Sequence, residues 1–339
     1  MIGWLTNLNN ASRIVSINEA SRISGISAKA LEKDWWVTQT LKIIFNMRYA
    51  KYFVFKGGTS LSKGWNLIDR FSEDIDISLN SEAFGINYID KPSKTFVEQL
   101  RRAGCLFTSN ELLGALKTEF INSGVSESFY SIEMKPIRQD MPDTDPQTLY
   151  INFVSLFDPN PYLPDRIKVE FSVRSLSEPN EKRIMNSLLY KYLPNENYLE
   201  EICEVSTIQP QRTLIEKILL LHEEYNREER NKIRTDRMSR HYYDIYQMSK
   251  HPFSSVALND ANFIENIIEH RKYYSRLKRF DYNTLRIGQV NIIPDIEILK
   301  ELKDDYEIMR TEMIYGNPPS FEDIIHQLKN IQQVLNAIN

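Results

Sequence analysis

Two aspartates separated by one residue, Asp74 and Asp76, are the side chains of this sequence best suited to chemistry. They lie in the run Ser72–Leu79 (SEDIDISL), whose alternation predicts a strand with isoleucines in a core and both carboxylates on the other face. Two carboxylates held together are costly unless a cation lies between them. Mg²⁺ is the expected cation, because it prefers hard oxygen ligands and completes its octahedron with substrate phosphates.

A glycine pair precedes the aspartates, in the order Gly57, Gly58, Thr59, Ser60. The apolar run Tyr52–Phe55 before it predicts a buried strand, and the apolar spacing after it predicts a short helix. Glycines let the backbone approach an anion, and the N–H groups and hydroxyls at a helix start can donate to phosphate oxygens. Either motif alone is more often a plain turn or a solvated strand edge, but the two together are far more specific.

A third candidate carboxylate, Glu170, lies on the polar face of the alternating run Ile167–Val173. A lone glutamate on a strand usually faces solvent, so the pattern alone leaves its role open. Two further strand-like runs, Phe129–Lys135 and Leu149–Leu156, flank a turn-rich connection and predict a hairpin.

The helices that must position these residues are also visible in the sequence. Residues 28–45 carry apolar side chains at helical spacing, with Ser27 as the predicted N-cap. The segment Ser16–Glu19 (SINE) has the form of a capping box and predicts that a helix begins there. From Pro210 to the C-terminus the pattern is predominantly helical.

Two charged positions in the helical half have competing interpretations. Lys217 lies within about 60° of the apolar face of its helix, so it either snorkels to the surface or projects into an anion site. Arg240 and Asp244 are four residues apart on one helix face and form either a surface salt pair or part of a site. His241, between them, is more often structural than catalytic for a lone histidine.

The composition is that of an ordinary globular protein, with 339 residues, 42% of them hydrophobic and 26% charged. A net charge of −4 argues against an electrostatic nucleic-acid binder as a whole. The run Arg227–Arg240 holds six cations and three acids, which leaves a local nucleic-acid contact open beside the commoner solvated helix face. The two cysteines indicate neither a zinc site nor a disulfide framework. No apolar stretch is long enough to span a membrane, and residues 1–10 lack the basic-then-apolar layout of a signal peptide, so we expect a cytoplasmic protein without membrane contact.

The Gly57-Gly58-Thr59-Ser60 turn followed by RFSEDIDISL (residues 70–79) resembles the signature of the polymerase-β-like nucleotidyltransferase superfamily. In its exact residue sequence the motif is similar to that of the nucleotidyltransferase family of AbiEii/AbiGii toxins. Three more strings share this resemblance, namely EKD at 32–34, PQRTLIEKILLLH at 210–222 and DYEIMRTEMI at 305–314. The resemblance therefore covers nearly the whole chain. Structurally, the EKD string is sufficiently explained as part of a packing helix.

The resemblance implies an α+β protein whose nucleotidyltransferase core, at residues 47–208, contains a mixed β-sheet. Helices of residues 1–46 are expected to pack on the core, and a large helical domain at 209–339 is expected to complete an active-site cleft. The implied catalytic residues are Asp74, Asp76, Glu170, Lys217 and Asp244. The implied nucleotide-binding residues are Gly57, Gly58, Thr59, Ser60, Lys217 and Arg240. The implied metal ligands are Asp74, Asp76 and Glu170, although aspartate is the more usual residue at the third position, and His241 stands where many members carry aspartate.

The activity implied by the resemblance is Mg²⁺-dependent transfer of NMP from an NTP, GTP in some members, to an acceptor such as tRNA. The biological role would be that of the toxin in a bacterial type IV toxin–antitoxin or abortive-infection system, with a repressor-like antitoxin encoded nearby. Two alternatives remain at this point. One is an enzyme that modifies an antibiotic or another small molecule, and the other is a non-catalytic RNA- or protein-binding module of the same fold.

Overall fold

The structure is a computed structural model that describes residues 2–136, 141, 144–160, 163–195, 203–278 and 280–338. Within these residues, seven strands form one sheet in the order β3-β4-β5-β2-β1-β7-β6. The strands are β1 (Phe53–Lys56), β2 (Ile75–Leu79), β3 (Tyr130–Met134), β4 (Gln147–Phe153), β5 (Arg166–Ser172), β6 (Asn180–Ile184) and β7 (Glu204–Ile208).

The α-helices are named in chain order. They are α1 (Gly3–Asn7), α2 (Asn10–Ser24), α3 (Ala28–Asn46), α4 (Gly57–Lys63), α5 (Lys94–Phe107), α6 (Leu113–Asn122), α7 (Leu188–Tyr192), α8 (Pro210–Tyr225), α9 (Ser239–Ser249), α10 (Pro252–Asn259), α11 (Ala261–His270), α12 (Ile296–Glu312) and α13 (Phe321–Ala337). Short 3₁₀ turns lie at Ala50–Tyr52, Ser81–Phe84 and Arg230–Lys232, and π-helical turns lie at Thr108–Leu112 and Arg271–Ser275. None of the described helices is long and apolar enough to cross a bilayer.

The sheet is mixed, and β2 lies near its centre. β2 pairs antiparallel with β1 and parallel with β5, while β1 also pairs parallel with β7. The remaining neighbours, β3 with β4, β4 with β5 and β6 with β7, are antiparallel. The predicted α+β class with a mixed sheet is therefore confirmed.

The first compact unit comprises Met1–Trp65, Phe71–Tyr88 and Thr95–Ile208, and it contains the whole sheet. α3 packs against β5 and β7. Trp36 of α3 stacks on Phe153 of β4, with ring centroids 5.2 Å apart. The predicted packing helix α3 thus packs directly against the sheet.

The second compact unit comprises Asn66–Arg70, Ile89–Lys94 and Gln209–Asn339. Its core is helical, with α9 packed against α8, α12 and α13. The short segment Asn66–Arg70 joins this unit through a bridge between Arg70 and Ile314 and a hydrogen bond from Tyr315 N to Asp69 O (3.0 Å). A piece of chain next to the aspartate strand therefore belongs structurally to the helical unit.

Local predictions were right where sequence periodicity decides the structure. Ser27 caps α3, since its Oγ accepts from Ala30 N at 3.3 Å. The predicted hairpin is formed by β3 and β4, with Ile132 opposite Ile151. Its connection falls partly on residues that the structure does not describe.

The predicted helix start at Ser16 is wrong, because Ser16 lies inside α2. That helix begins at Asn10 and is capped by Asn9, whose side chain accepts from Ser12 N. The hydroxyl of Ser16 instead accepts from Trp4 Nε1 and donates to Arg13 O, both at 2.8 Å. A serine that returns its hydrogen bond to the preceding helical turn does not interrupt a helix.

Candidate active site

The centre of the sheet carries neighbouring carboxylates on one face. Asp76 of β2 lies in register with Glu170 of the parallel strand β5, and Asp74 directly precedes β2. Ile75 and Ile77 are fully buried, whereas the three carboxylate residues are partly exposed. The sequence therefore folds here as its alternation predicted, with an apolar face in the core and an acidic face open to ligand.

The charge on this face is only partly compensated. Burial, opposed by Lys56 and Lys168 but reinforced by repulsion from Glu170 and Asp74, raises the pKa of Asp76 to about 6. A bound divalent cation stabilises the ionised form of such a carboxylate. The gain in electrostatic free energy is larger than for a carboxylate with an ordinary pKa.

Glu170 has partners of its own. Lys168, two residues earlier on the same strand, places its Nζ 2.9 Å from Glu170 Oε2, and Thr148 Oγ1 donates to Glu170 Oε1 at 3.3 Å. In the part of the chain that the structure describes, no three His, Cys, Asp or Glu side chains are arranged tightly enough to hold a metal ion. Asp74, Asp76 and Glu170 are thus adjacent hard oxygen donors, suitable for Mg²⁺, whose closed ligand set would need added oxygens such as substrate phosphates.

Gly57 brings the glycine turn against Asp76. Gly57 begins α4 with φ +79°, and a Cβ added there would overlap Asp76 Oδ2. Only glycine combines this backbone conformation with so close an approach. The two motifs found separately in the sequence are therefore in direct contact in the fold.

Thr59 and Ser60 are buried, and their hydroxyls are engaged within the protein. Thr59 Oγ1 donates to the backbone oxygen of Asp74 (2.5 Å) and lies 2.9 Å from Ser72 Oγ, while Ser60 Oγ donates to Gly57 O (2.8 Å). Thr59 therefore ties the glycine turn to Asp74. The part of the turn left for an anion is its backbone rather than these two hydroxyls.

A second charged group lies in the helical unit around Asp244 of α9. This side chain is 0% exposed, and Arg70 binds it with two hydrogen bonds, from Nε at 2.7 Å and from Nη2 at 2.8 Å. Lys217 Nζ of α8 lies 3.0 Å from its other side. Although burial raises the pKa of Asp244, Arg70 and Lys217 outweigh it and hold that pKa well below its usual range. The interpretation of Arg240 and Asp244 as an exposed salt pair is wrong, since Asp244 is enclosed.

Lys217 is buried and does not snorkel to the surface. Burial lowers its pKa, an effect that Asp244 opposes and the charge of Arg70 reinforces. Its Nζ is also 3.2 Å from His241 Nδ1. Burial and the nearby cations Lys217 and Arg240 keep the pKa of His241 well below its ordinary value, so the neutral ring can accept a hydrogen bond from Lys217. The ammonium is thus held in one place by Asp244 and His241.

Residues 41–327 match the sequence profile of a family described as the nucleotidyl transferase AbiEii toxin of type IV toxin–antitoxin systems. The chain belongs to this AbiEii family. It is therefore a nucleotidyltransferase, and membership implies an NTP substrate and a cognate antitoxin. Enzymes of this class generally use a divalent metal ion.

Among solved structures, the chain is similar to MenT4, a nucleotidyltransferase toxin from Mycobacterium tuberculosis. The identity is 14% and the TM-score 0.47, over 97% of this chain and 100% of MenT4. No match was found among curated proteins.

The basic run of this AbiEii-family chain is more compensated than its composition suggested. Four of its cations lie within ion-pair distance of an acid, two of them sharing the buried Glu224. The pairs are Arg227 with Glu224 (2.9 Å), Arg230 with Asp295 (3.3 Å), Lys232 with Glu229 (2.5 Å) and Arg234 with Glu224 (2.7 Å). Glu224 and Asp295 lie outside the run, so counting charges within it underestimated the acids.

Two further charged residues, each in contact with a candidate site residue, were missed in the sequence. Arg70 precedes the aspartate strand, and no local pattern indicates that it binds Asp244, 174 residues away. Lys168 could have been found, since the alternation that placed Glu170 on the polar face of its strand placed Lys168 there too.

Proposed function

We propose that this AbiEii-family toxin transfers NMP from an NTP to the 3′ end of an RNA in the cytoplasm, using Mg²⁺. The observation that supports it best is the face formed by Asp76 and Glu170 with Gly57 directly against Asp76. That arrangement offers hard oxygen ligands beside a glycine turn, the combination that metal-bound triphosphate requires.

Asp74 and Asp76 are assigned to the metal ion, with Glu170 as the third ligand or as the group that orients the acceptor hydroxyl. When bound, the ion would neutralise phosphate charge and polarise the α-phosphate for in-line attack. The acceptor hydroxyl would lose its proton and bond to the α-phosphorus while the α–β phosphoanhydride bond breaks and pyrophosphate leaves. The protein itself does little covalent work, because its contribution is to position the two reactants.

The backbone of Gly57, Gly58, Thr59 and Ser60 is assigned to the triphosphate, with Lys217 and Arg240 as phosphate-binding cations. Lysine binds phosphate as a point charge, so its ammonium must be held in the correct place. Asp244 holds this ammonium in position, since it contacts Lys217 and is itself closed to solvent. Its catalytic importance is then that of a positioning residue.

The acceptor is proposed to be RNA, with tRNA as the first candidate and GTP as the first NTP to test. Arg230, Lys232 and Arg234 keep 80%, 58% and 60% of their side chains exposed despite their ion pairs. The ion pairs of Arg230 and Lys232 are exposed to solvent and therefore weak, so a phosphate backbone can replace their acids, whereas Arg234 reaches the surface from a pair with the buried Glu224. The cognate antitoxin is expected to be repressor-like.

The experiment is incorporation of label from each of the four NTPs, with Mg²⁺ or EDTA, into tRNA, total RNA, protein and small-molecule fractions. We expect Mg²⁺-dependent label in RNA, lost with periodate-blocked 3′ ends. Label only in protein or in small molecules would refute the RNA acceptor and favour the small-molecule enzyme. Absence of label in every fraction, from folded protein, would refute catalysis and favour a binding module.

A further inference from the structure

Three consecutive charged residues of α3, Glu32, Lys33 and Asp34, are buried, with exposures of 1%, 1% and 4%. Consecutive helical residues point about 100° apart, so no single helix face can hold all three. Burying one charge is costly unless it is paired, and burying three is unnecessary for packing alone. Each of the three contacts a different part of the nucleotidyltransferase core.

Lys33 contacts the segment that carries the first metal aspartate. Its Nζ lies 2.5 Å from Glu73 Oε2 and donates to Pro164 O at 2.8 Å. Glu73 directly precedes Asp74, and the charge of Asp74 also acts on Lys33. The ammonium of Lys33 is thus a fixed anchor one residue away from a proposed ligand.

Asp34 contacts the helix that begins at Gly57. Its Oδ1 lies 2.6 Å from Nζ of Lys63, near the end of α4, and both side chains are 5% exposed. Its Oδ2 accepts from Leu188 N (2.7 Å) at the start of α7. Asp34 therefore fixes the helix that follows the glycine turn, and Lys33, in the same turn of α3, fixes Glu73.

Glu32 anchors this part of α3 to the sheet. Its two carboxylate oxygens accept from Ser155 Oγ (2.5 Å) and Leu156 N (2.8 Å), just after β4. The three charges thus connect one helical turn to the sheet, to the aspartate segment and to the glycine helix.

We propose that Glu32-Lys33-Asp34 is a positioning clamp for the metal and triphosphate site, with Lys33 fixing Asp74 through Glu73. This inference rests on the proposed metal-binding role of Asp74 and Asp76. It replaces the interpretation of this segment as only part of a packing helix, because packing does not require three buried charges.

The test is Lys33→Met, which keeps the apolar stem of the side chain and removes the ammonium. Calorimetric titration with Mg²⁺ in the absence of NTP measures the site without any turnover. Losing a supporting contact should weaken Mg²⁺ binding about 10- to 100-fold. Removing a cation close to Asp74 without displacing it should instead tighten Mg²⁺ binding, because a repulsion is lost. The two explanations therefore predict opposite signs.

Lys42→Met is the matched control, since Lys42 is buried on the same helix (8% exposed) and its charge acts on Cys203. It should leave the Mg²⁺ affinity unchanged. If wild-type protein itself binds no Mg²⁺, the proposed function fails. If wild-type binds and Lys33→Met binds as well or better, only the clamp fails.

Lys33→Met with Glu73→Gln covers the case in which the single variant does not fold, because it leaves no unpaired buried charge. A folded double variant with weakened Mg²⁺ binding and transfer reduced about 100-fold supports the clamp, because a ligand misplaced by 1 Å has an effect of that size. Wild-type behaviour of the double variant overturns it. A double variant that cannot fold also overturns it, since the pair is then a requirement for folding.

Discussion

The two charged groups of this enzyme are built in opposite ways. On the sheet, Asp76 is partly exposed and its neighbours include Asp74 and Glu170, so its negative charge is under-compensated. In the helical unit, Asp244 is enclosed and over-compensated by Arg70 and Lys217. An under-compensated carboxylate is suited to receive a cation, and an over-compensated one is suited to hold other groups in place. The location of a carboxylate in a family motif therefore does not tell which of these two tasks it performs.

The largest difference should appear when each aspartate is replaced by asparagine. Asp76→Asn should reduce transfer by about 10³-fold, the size of effect seen when a charge-stabilising group is lost. Its thermal stability without metal should be unchanged or higher, because repulsion among the carboxylates is relieved. Single-turnover kinetics and thermal unfolding in EDTA measure the two quantities. A clear loss of stability would mean that Asp76 stabilises the fold, and that its negative charge is not under-compensated.

Asp244→Asn should lower the free energy of unfolding by about 3–5 kcal/mol, because it leaves Arg70 and Lys217 buried without their counter-charge. Denaturant unfolding provides the measurement. Glu307→Gln is a suitable control, as it removes one exposed acid from an ion pair with Arg310 in the same helical unit and should cost little. Wild-type stability for Asp244→Asn would show that Asp244 does not stabilise the buried Arg70 and Lys217.

The effects of the two substitutions on the free energy of unfolding should depend on pH in different ways. The folded-state pKa of Asp76 is raised from 3.8 to about 6, so ionisation of this carboxyl opposes folding increasingly as the pH rises from about 3.8 to about 6, and the penalty is complete above that value. The stability advantage of Asp76→Asn should therefore grow from pH 4 to pH 7, by about 1–2 kcal/mol in EDTA.

For Asp244 the folded-state pKa lies below the ordinary 3.8, so its contribution is complete above that pH. The cost of Asp244→Asn should then be constant from pH 4 to pH 7 and decrease only as the pH falls further. Parallel profiles for the two variants would contradict the contrast between the groups.

The smallest effect concerns the basic run. Replacing Arg230, Lys232 and Arg234 with glutamine should lower the slope of log affinity for RNA against log salt by about 2, while NTP affinity is retained. The matched control replaces three exposed lysines outside the run, Lys300, Lys303 and Lys329, and should leave the slope unchanged. Equal slopes for both triple variants would assign the run to a solvated helix face.

Much of the sheet site was predictable from sequence because local periodicity determines it. Alternation around Asp74 and Asp76 gave the strand and its acidic face, and the glycine pair gave the turn. Gly57 can lie against Asp76 because glycine has no side chain to block the contact, and the glycine itself can be read from the sequence.

The rest depends on contacts between distant parts of the chain. No spacing rule connects Arg70 with Asp244, or Lys33 with Glu73, since each pair is made by packing of separate elements. The same limit applies to the hydroxyls of Thr59 and Ser60, which have suitable chemistry for phosphate but have partners inside the fold. The misplaced helix start at Ser16 has this origin as well, because Trp4 supplies the partner that makes Ser16 an interior residue.

The most direct test of the central claim, that the under-compensated face receives the metal, is the proton released on Mg²⁺ binding. Calorimetry in buffers of different ionisation enthalpy measures this release. Because the pKa of Asp76 is raised to about 6, wild-type protein should release about half a proton at pH 6 and almost none at pH 8. Asp76→Asn should bind Mg²⁺ weakly, without that pH dependence. Tight Mg²⁺ binding to wild-type protein with no proton release at either pH, or the same release from Asp76→Asn, would show that Asp76 does not receive the metal.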